Sequence, residues 1–396
     1  MFAGRGLGVA CAALAAAALA GCSPGESGGA GEGDTLTVYL SSPLRGPSAP
    51  HGRAIRDGAR LALEDADGRA GEVEIDAVFL DDTRGGRWSS AVVAENAREA
   101  TSDSTAIAYI GEFESGATRV SLPITNEARL LQVSPGSTAL DLVSPFPGSD
   151  EVPEEVQPSG ERTFGRVIPD DEAQAAAGAA WAKRLGVIRA LVYSRAKFGD
   201  TVAEEFSEEA ESIGVSIERP GGPGALLRAA KSKPDLVYHG GTARHGSPFL
   251  TGIARRAPSA LLMGTDALLL DLAFMRDAES IESLLRLTAS AQDPAQLPPP
   301  EGPEFARRYS DEYGRGPDPY AAYGYEAMAV VLDSIERAEG GIDRSAVIDA
   351  FLDTTDRSSV LGTYSIDEVG DTMLDRLAGY RVRDGRPVFD QPLRAP

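Results

Sequence analysis

The chain has 396 residues with 60 acidic and 38 basic side chains, a formal charge of -22, and 42% hydrophobic residues. That is enough apolar material for real cores, and enough length for two domains or one two-lobed unit. The acidic excess weighs against nucleic-acid binding, which needs a basic surface to neutralise phosphates, and against a broad peripheral hold on anionic lipid.

Arg5 is the only charged residue before Cys22, and Leu7 to Ala20 form an apolar block of 14 residues. A comfortable bilayer span needs about 20. A positive start, a short apolar core and small residues at its end describe a secretory signal. Its ending, Leu19-Ala20-Gly21-Cys22, resembles the bacterial lipoprotein signal. The resemblance implies removal of residues 1–21, a diacylglycerol on Cys22, and a protein held outside the cell membrane by that lipid. The other cysteine, Cys11, leaves with the leader, so the mature chain would have no thiol for a disulfide or a metal. Gly21-Cys22-Ser23-Pro24-Gly25 matches the G-x-S-x-G nucleophile elbow, but that motif needs a strand before it and a helix after it. Here a leader precedes, and residues 22–34 read as a flexible glycine-rich tether.

From Thr35 the pattern is regular. Leu36, Val38 and Leu40 alternate as in a strand. Ile55, Ala59, Ala62, Leu63 and Ala66 mark one face of a helix. Strands follow at Val73 to Leu80, Ala106 to Ile110 and Leu130 to Val133, with helices at Trp88 to Thr101 and Gly116 to Glu127 between them. The stretch Leu140 to Glu161, with its prolines and the acids Asp150, Glu151, Glu154 and Glu155, breaks the rhythm as a long loop. Alternation resumes with strands at Phe164 to Ile168, Val187 to Tyr193, Val215 to Ile217, Leu236 to Tyr238 and Ala260 to Met263. Helices are expected at Glu172 to Leu185 and Thr201 to Ile213. A connector at Gln292 to Pro303 leads to helices at Glu304 to Tyr313, Tyr320 to Ala338 and Ser345 to Leu352. A hairpin around Asp384-Gly385 closes the chain. Such alternation predicts an α/β fold of two doubly wound, Rossmann-like units with parallel sheets covered on both faces.

Short signals recur in a fixed order: Val38-Tyr39-Leu40-Ser41-Ser42-Pro43, His51-Gly52, Asp81-Asp82, Ile110-Gly111, Glu114-Ser115-Gly116-Ala117-Thr118, and Ser134-Pro135-Gly136-Ser137-Thr138. They continue with Arg166, Pro169-Asp170-Asp171, Gln174, Phe198-Gly199-Asp200, Val237-Tyr238-His239-Gly240-Gly241, Met263-Gly264-Thr265-Asp266 and Pro319 to Ala327. The series resembles the leucine- and branched-chain-amino-acid-binding proteins of the type I periplasmic-binding-protein fold. This implies two α/β lobes joined by three crossovers, placed near Ile168, Leu287–Ser290 and Val360–Thr363. Lobe 1 would hold 35–169 and 290–360; lobe 2 would hold 170–289 and 361–396. A small solute would lie between the lobes, and the anchored protein would hand it to the permease of an ABC transporter.

Ser115 lies between a strand end and a predicted helix start, where free N–H groups favour an anion. It is also placed to cap that helix. The resemblance implies that it binds the ligand α-carboxylate, and that Gly136 and Thr138 offer backbone groups, with Ser137 beside them. These positions follow a strand, where open α/β sheets bind ligands; the bland alternative is a Pro-Gly turn. Asp171 and Asp266 are the acids that could face the ligand ammonium, or else cap the helices that follow them. Phe198 corresponds to an aromatic that closes over the ligand, or is a core residue. His51 replaces a tyrosine of the family pattern, Thr242 stands where an aromatic often follows the two glycines, and Asp266 replaces a glutamate. These departures leave an α-amino-acid handle and put the side-chain preference in question.

Two other functions fit parts of the chain. A ligand sensor of the same fold would use the same cleft. An extracytoplasmic enzyme lacks support: His239 and His245 are six apart without a third ligand nearby, no phosphate-binding loop is present, and the glycines at 4, 6 and 8 sit in the leader. Asp81-Asp82 reads as a solvated turn. The chain is therefore expected to use no cofactor and no metal.

Overall fold

The computed structural model describes residues 35–395 apart from 146–148, 196, 220–223, 225–227, 229–230 and 339–340. Cys22, with the expected leader and tether, lies outside the described residues. The first half runs β1 (Thr35–Ser42), α1 (Ala49–Asp65), β2 (Arg69–Ala70), β3 (Val73–Asp81), β4 (Thr83–Arg84), β5 (Arg87–Trp88), α2 (Ser90–Ser102), β6 (Ala106–Ile110), α3 (Ser115–Glu127), β7 (Leu131–Ser134) and β8 (Phe164–Arg166). Its main sheet has the order β2-β3-β1-β6-β7-β8. All its pairings are parallel except β2 with β3. β1 and β6 are buried along almost their whole length, as expected of central strands covered on both faces.

The chain then enters a second sheet through α4 (Asp171–Arg184), β9 (Arg189–Tyr193), α5 (Lys197–Ser212), β10 (Ser216–Glu218), β11 (Leu236–His239), α6 (Ala243–Ala254), β12 (Leu261–Gly264), α7 (Asp266–Leu269), α8 (Leu272–Asp277) and β13 (Leu285–Ala289). It returns to the first layer with α9 (Glu301–Tyr313), α10 (Pro319–Arg337) and α11 (Arg344–Leu352). The hairpin β14 (Arg376–Arg383) and β15 (Arg386–Arg394) completes the second sheet, whose order is β10-β9-β11-β12-β13-β14-β15. Asp384 and Gly385 both have positive φ, 52° and 67°, which suits the tight turn of this hairpin.

Each sheet therefore has its own core. Leu36, Val38, Ile107 and Val133 pack with Tyr323, Met328 and Phe351 in the first. Leu191, Val237, Leu262 and Leu287 pack with Phe249 and Phe274 in the second. Fully burying one such side chain contributes roughly 1.5–3 kcal/mol. Glycine sets the closest approach in the first core. A Cβ on Gly58 of α1 would lie 2.0 Å from the Ala321 carbonyl oxygen, and one on Gly324 of α10 would lie 2.1 Å from that of Ile55.

Several expectations shift. Trp88 is not in α2 but in the two-residue strand β5. β13 and α6 were not expected; β13 stands where only a crossover was placed. The described part of 140–161 is the expected long loop, with one short helical turn at Leu140–Leu142, but it is anchored: Leu142, Val143 and Val156 are buried against Leu122 and Phe164. The Gln157 amide, also buried, donates to the Leu142 carbonyl at 3.1 Å. The start of lobe 2 at 361 also moves. Leu361, Tyr364, Ile366 and Leu374 belong to the first core, and the second sheet resumes only at Arg376.

Candidate functional site

In each sheet the strand order reverses beside one strand, β1 in the first and β9 in the second. Open α/β sheets present a crevice at the carboxyl ends of the strands there. Of the expected site residues, Ser115, Gly136, Ser137, Thr138, Asp171 and Asp266 lie just after strand ends.

On the first-sheet side, α3 begins at Ser115, and Glu114 occupies the N-cap position without a side-chain cap bond. Ser115 is thus not the helix cap. Its hydroxyl accepts from the N–H groups of Thr138 and Ala139 at 3.1 and 3.2 Å. The loop carrying Gly136, Ser137 and Thr138 is held from below. Ser134 Oγ donates to the Glu112 carbonyl and accepts from the Ser137 N–H, both at 2.8 Å. Ser137 Oγ donates to the same carbonyl at 3.1 Å and lies 2.7 Å from Thr118 Oγ1. Gly136 passes so near Phe113 that a Cβ would lie 2.7 Å from its ring and from its carbonyl oxygen. Only glycine fits there without a shift.

Beneath this loop the Asp81-Asp82 expectation is overturned in part. Asp82 is buried, as is Glu112. Glu112 accepts from Tyr109 OH at 2.5 Å and Ser41 Oγ at 2.8 Å. Burial first, then the neighbouring acids, push the Asp82 carboxyl up to about 7. Burial and the Asp82 charge push Glu112 up to about 8. His51 Nδ1 lies 3.0 Å from Asp318 Oδ2. Its ring stands 5.8 Å from Phe113 and 5.4 Å from Tyr320.

On the second-sheet side, Asp170 and not Asp171 caps α4, accepting from the Ala173 N–H at 2.8 Å. This leaves the Asp171 carboxylate, 2% exposed, with no capping duty. The Asp171 N–H donates to the Thr138 carbonyl at 2.9 Å, so the two sides meet at Thr138. Asp266 opens α7, with Thr265 at the N-cap position and no side-chain cap bond. The segment after Asp266 forms two short helices, and Asp271 caps the second, accepting from the Phe274 N–H. Burial, then the Asp266 charge, push Asp171 up to about 7. Burial pushes Asp266 up to about 6, against the pull of Gln174 and nearby backbone N–H groups. Tyr238 feels both carboxylates, and together with burial they push its hydroxyl pKa well up.

The remaining expected residues scatter. Thr242 is exposed and stands at the N-cap position of α6 without a side-chain cap bond. The His239 ring nitrogens lie 3.0 and 3.1 Å from the carbonyl oxygens of Tyr193 and Thr242. Among the described residues no three histidine, cysteine or acidic side chains are grouped as a metal site. Phe198 falls within α5, and its side chain lies outside the described residues. Arg166 was quoted in the series without a role. It is fully buried, donates to the carbonyls of Ser137 and Ala139 at 3.3 and 2.9 Å, and grips Asp371 with two bonds at 2.5 and 2.8 Å. An arginine inside a strand pattern was the available signal, because a buried charge must be paired. Gln174, one turn after Asp171, was likewise quoted without a role.

No helix among the described residues is long and apolar enough to cross a membrane. A family model described as periplasmic binding protein matches residues 35–386. The Leu/Ile/Val-binding protein homolog 1 of Brucella melitensis is 24% identical over 370 residues, covering 90% of this chain and 93% of that one. A leucine-, isoleucine-, valine-, threonine- and alanine-binding protein of Pseudomonas aeruginosa is 24% identical over 353 residues, 85% of this chain and 87% of that one. Among solved structures, a leucine binding protein of Thermotoga maritima superposes with a TM-score of 0.70 at 25% identity, covering 91% of this chain and 99% of that one. A solute binding protein from Rhodopseudomonas palustris, in complex with benzoate, shares the fold at a TM-score of 0.65 and 18% identity, covering 92% and 97%. With two α/β units, the strand-end loops of both meeting at Thr138, and a family match over nearly the whole described chain, the protein belongs to the periplasmic binding protein family.

Proposed function

We propose that the protein is an extracytoplasmic solute-binding lipoprotein of an ABC importer, and that it takes an amino-acid-like solute between its lobes. One observation carries the reading. Thr138 gives its N–H to the Ser115 hydroxyl and its carbonyl to the Asp171 N–H. A serine-bearing loop at a helix N-terminus and a buried pair of carboxylates therefore adjoin one residue, which suits a solute that carries a carboxylate and an ammonium on one carbon. Ser115, Gly136, Ser137 and Thr138 hold the carboxylate, and Asp171 and Asp266 face the ammonium. His51, held beside Asp318 with its ring near Phe113 and Tyr320, borders the solute on the first-sheet side. Lobe 1 comprises 35–169 with 290 to about 374, and lobe 2 the rest of the folded chain. Ligand bridges them and shifts the population towards a closed form. No bond is made or broken, so the protein is not an enzyme and needs no cofactor. Its partners are the small solute, the transporter permease and the membrane, reached through lipid on Cys22.

Titration calorimetry of the full-length chain, purified in mild detergent, against the amino acids tests the binding. At least one should bind, and Asp171→Asn should weaken it. The absence of binding by any amino acid to a folded sample refutes the solute class. Fractionation of cells carrying Cys22→Ser tests the anchor, and the variant should leave the membrane fraction.

A further inference from the structure

The polar atoms of the site are satisfied unequally. Thirteen buried side-chain polar atoms among the described residues lack a hydrogen-bond partner, and six belong to Asp171, Gln174, Tyr238, Thr265 and Ser290. Each of these five residues is no more than 2% exposed. All lie at the ends of β11 to β13 or in the first turn of α4. Gln174 stands near enough to Asp266 to favour its ionised form, yet neither end of its amide completes a hydrogen bond of good geometry. An α-ammonium has three N–H donors. It can satisfy one carboxylate and one or two further acceptors, which leaves most of this set open.

Charge gives a second, independent reason. Asp171 and Asp266 are two carboxylates in one buried region. Arg166, a cation near Asp171 that favours its ionised form, is already gripped by both oxygens of Asp371. One α-ammonium neutralises one of the two acids. A separate cavity of about 290 Å³ has six acids in its wall, among them Asp170 and Glu172, with serines and apolar side chains between them; Arg166 pairs with one of these acids, Asp371, and Arg162 interacts with others. Asp170 and Glu172 flank Asp171 in the chain. Acids in excess over arginines near Asp171 favour cations over anions there. An aliphatic ligand side chain placed here would leave these buried polar groups dry and unpaired, at a cost for each.

We infer that the solute is an α-amino acid carrying a second cationic nitrogen on its side chain, an ammonium or guanidinium that Asp266 receives with Thr265, Ser290 and Tyr238. This rests on reading the cleft as an amino-acid site and adds its substrate class. Asp171, joined by its N–H to Thr138 beside the carboxylate loop, takes the α-ammonium. Asp266 takes the second charge. The relatives named for leucine, isoleucine and valine differ from this chain in that preference.

Calorimetry with L-lysine, L-arginine, L-norleucine and L-leucine on the full-length protein in detergent decides the matter. L-lysine and L-norleucine differ only in the terminal ammonium. Lysine or arginine should bind at least tenfold more tightly than norleucine. Asp266→Asn should collapse that ratio towards one by weakening the basic ligands. Norleucine or leucine binding as tightly as lysine and arginine, with some amino acid still bound, overturns the substrate class and leaves the amino-acid site standing. Failure of every amino acid to bind overturns both. The wild-type ratio decides even if Asp266→Asn does not fold.

Discussion

The two sides of the cleft are built on opposite plans. On the first, hydroxyls and amides around Ser115, Ser134, Ser137 and Thr138 are bonded to one another. On the second, Gln174, Tyr238, Thr265 and Ser290 keep unpaired polar atoms in a buried place. A loop tied in this way is preorganised, and the Ser115 hydroxyl, which accepts from two N–H groups, keeps its proton to donate to a ligand carboxylate. An unsaturated wall stores a cost that an occupant with matching groups removes. The lesson is that the first side, together with Asp171 joined to it at Thr138, fixes the part common to all α-amino acids, and the rest of the second side selects among them.

The largest effect is expected at the joint between the plans. Arg166 is buried, ties the Ser137 and Ala139 carbonyls to Asp371, and so connects the anchor loop to the segment leading into β14. Breaking a buried ion pair from one side costs about 3–5 kcal/mol. Arg166→Ala should lower the denaturant midpoint by an amount equivalent to that loss, with the ligand affinity falling too. A variant that melts within a degree of the parent would show that the saturated side does not depend on this arginine.

The next effect separates the plans by pH. Asp82 and Glu112, under the anchor loop, hold protons in the folded chain up to about 7 and about 8. Unfolded carboxyls release them near 4. Folding stability from this pair is thus complete below about pH 4 and declines as the pH rises through 7 and 8. Glu112→Gln removes the Glu112 part of that loss. It should melt above the parent at pH 8, by several degrees, and lose the advantage at pH 5. Equal melting curves at both values would mean that Glu112 is ionised in the folded state.

Much of this was legible before the fold was known, and the misses have physical causes. The strand–helix alternation through β8 reads directly because apolar spacing survives in each element. β13 was hidden because Leu285–Ala289 is only five residues long, so its alternation of Leu, Arg, Leu, Thr and Ala is too short to stand out. α6 carries Gly246 and Pro248 inside it, which reads as a loop. The site residues were legible as strand-end positions, but their roles turned on single-residue boundaries. Ser115 sits one residue inside its helix and Asp171 one residue past its cap, and both are thereby released for other bonds. The burial of Asp82 was not legible, since it depends on contacts far along the chain.

A smaller effect follows from Ser115. Its hydroxyl serves two backbone N–H groups, and removing it strands at least one of them for a loss of about 1 kcal/mol. Because those bonds exist without ligand, Ser115→Ala should lower the melting temperature of the free protein as well as its affinity. A loss of affinity with unchanged melting would contradict the picture of a finished anchor.

The smallest effect is the most pointed test of the contrast, because its sign differs. Tyr238 stacks on Phe206 with centroids 3.7 Å apart, while its buried hydroxyl has no partner. Tyr238→Phe keeps the ring and its packing and removes only the unpaired group. An unmet buried hydroxyl costs about 1 kcal/mol or somewhat more, so the free protein should become slightly more stable, by up to about 1 kcal/mol. The same change removes an acceptor that the ligand would use, so affinity should fall a few-fold. Serine 115 and tyrosine 238 would then both weaken binding while moving stability in opposite directions. If Tyr238→Phe instead destabilises the free protein, its hydroxyl is already bonded there, to water or to a neighbour, and the second side of the cleft is as saturated as the first.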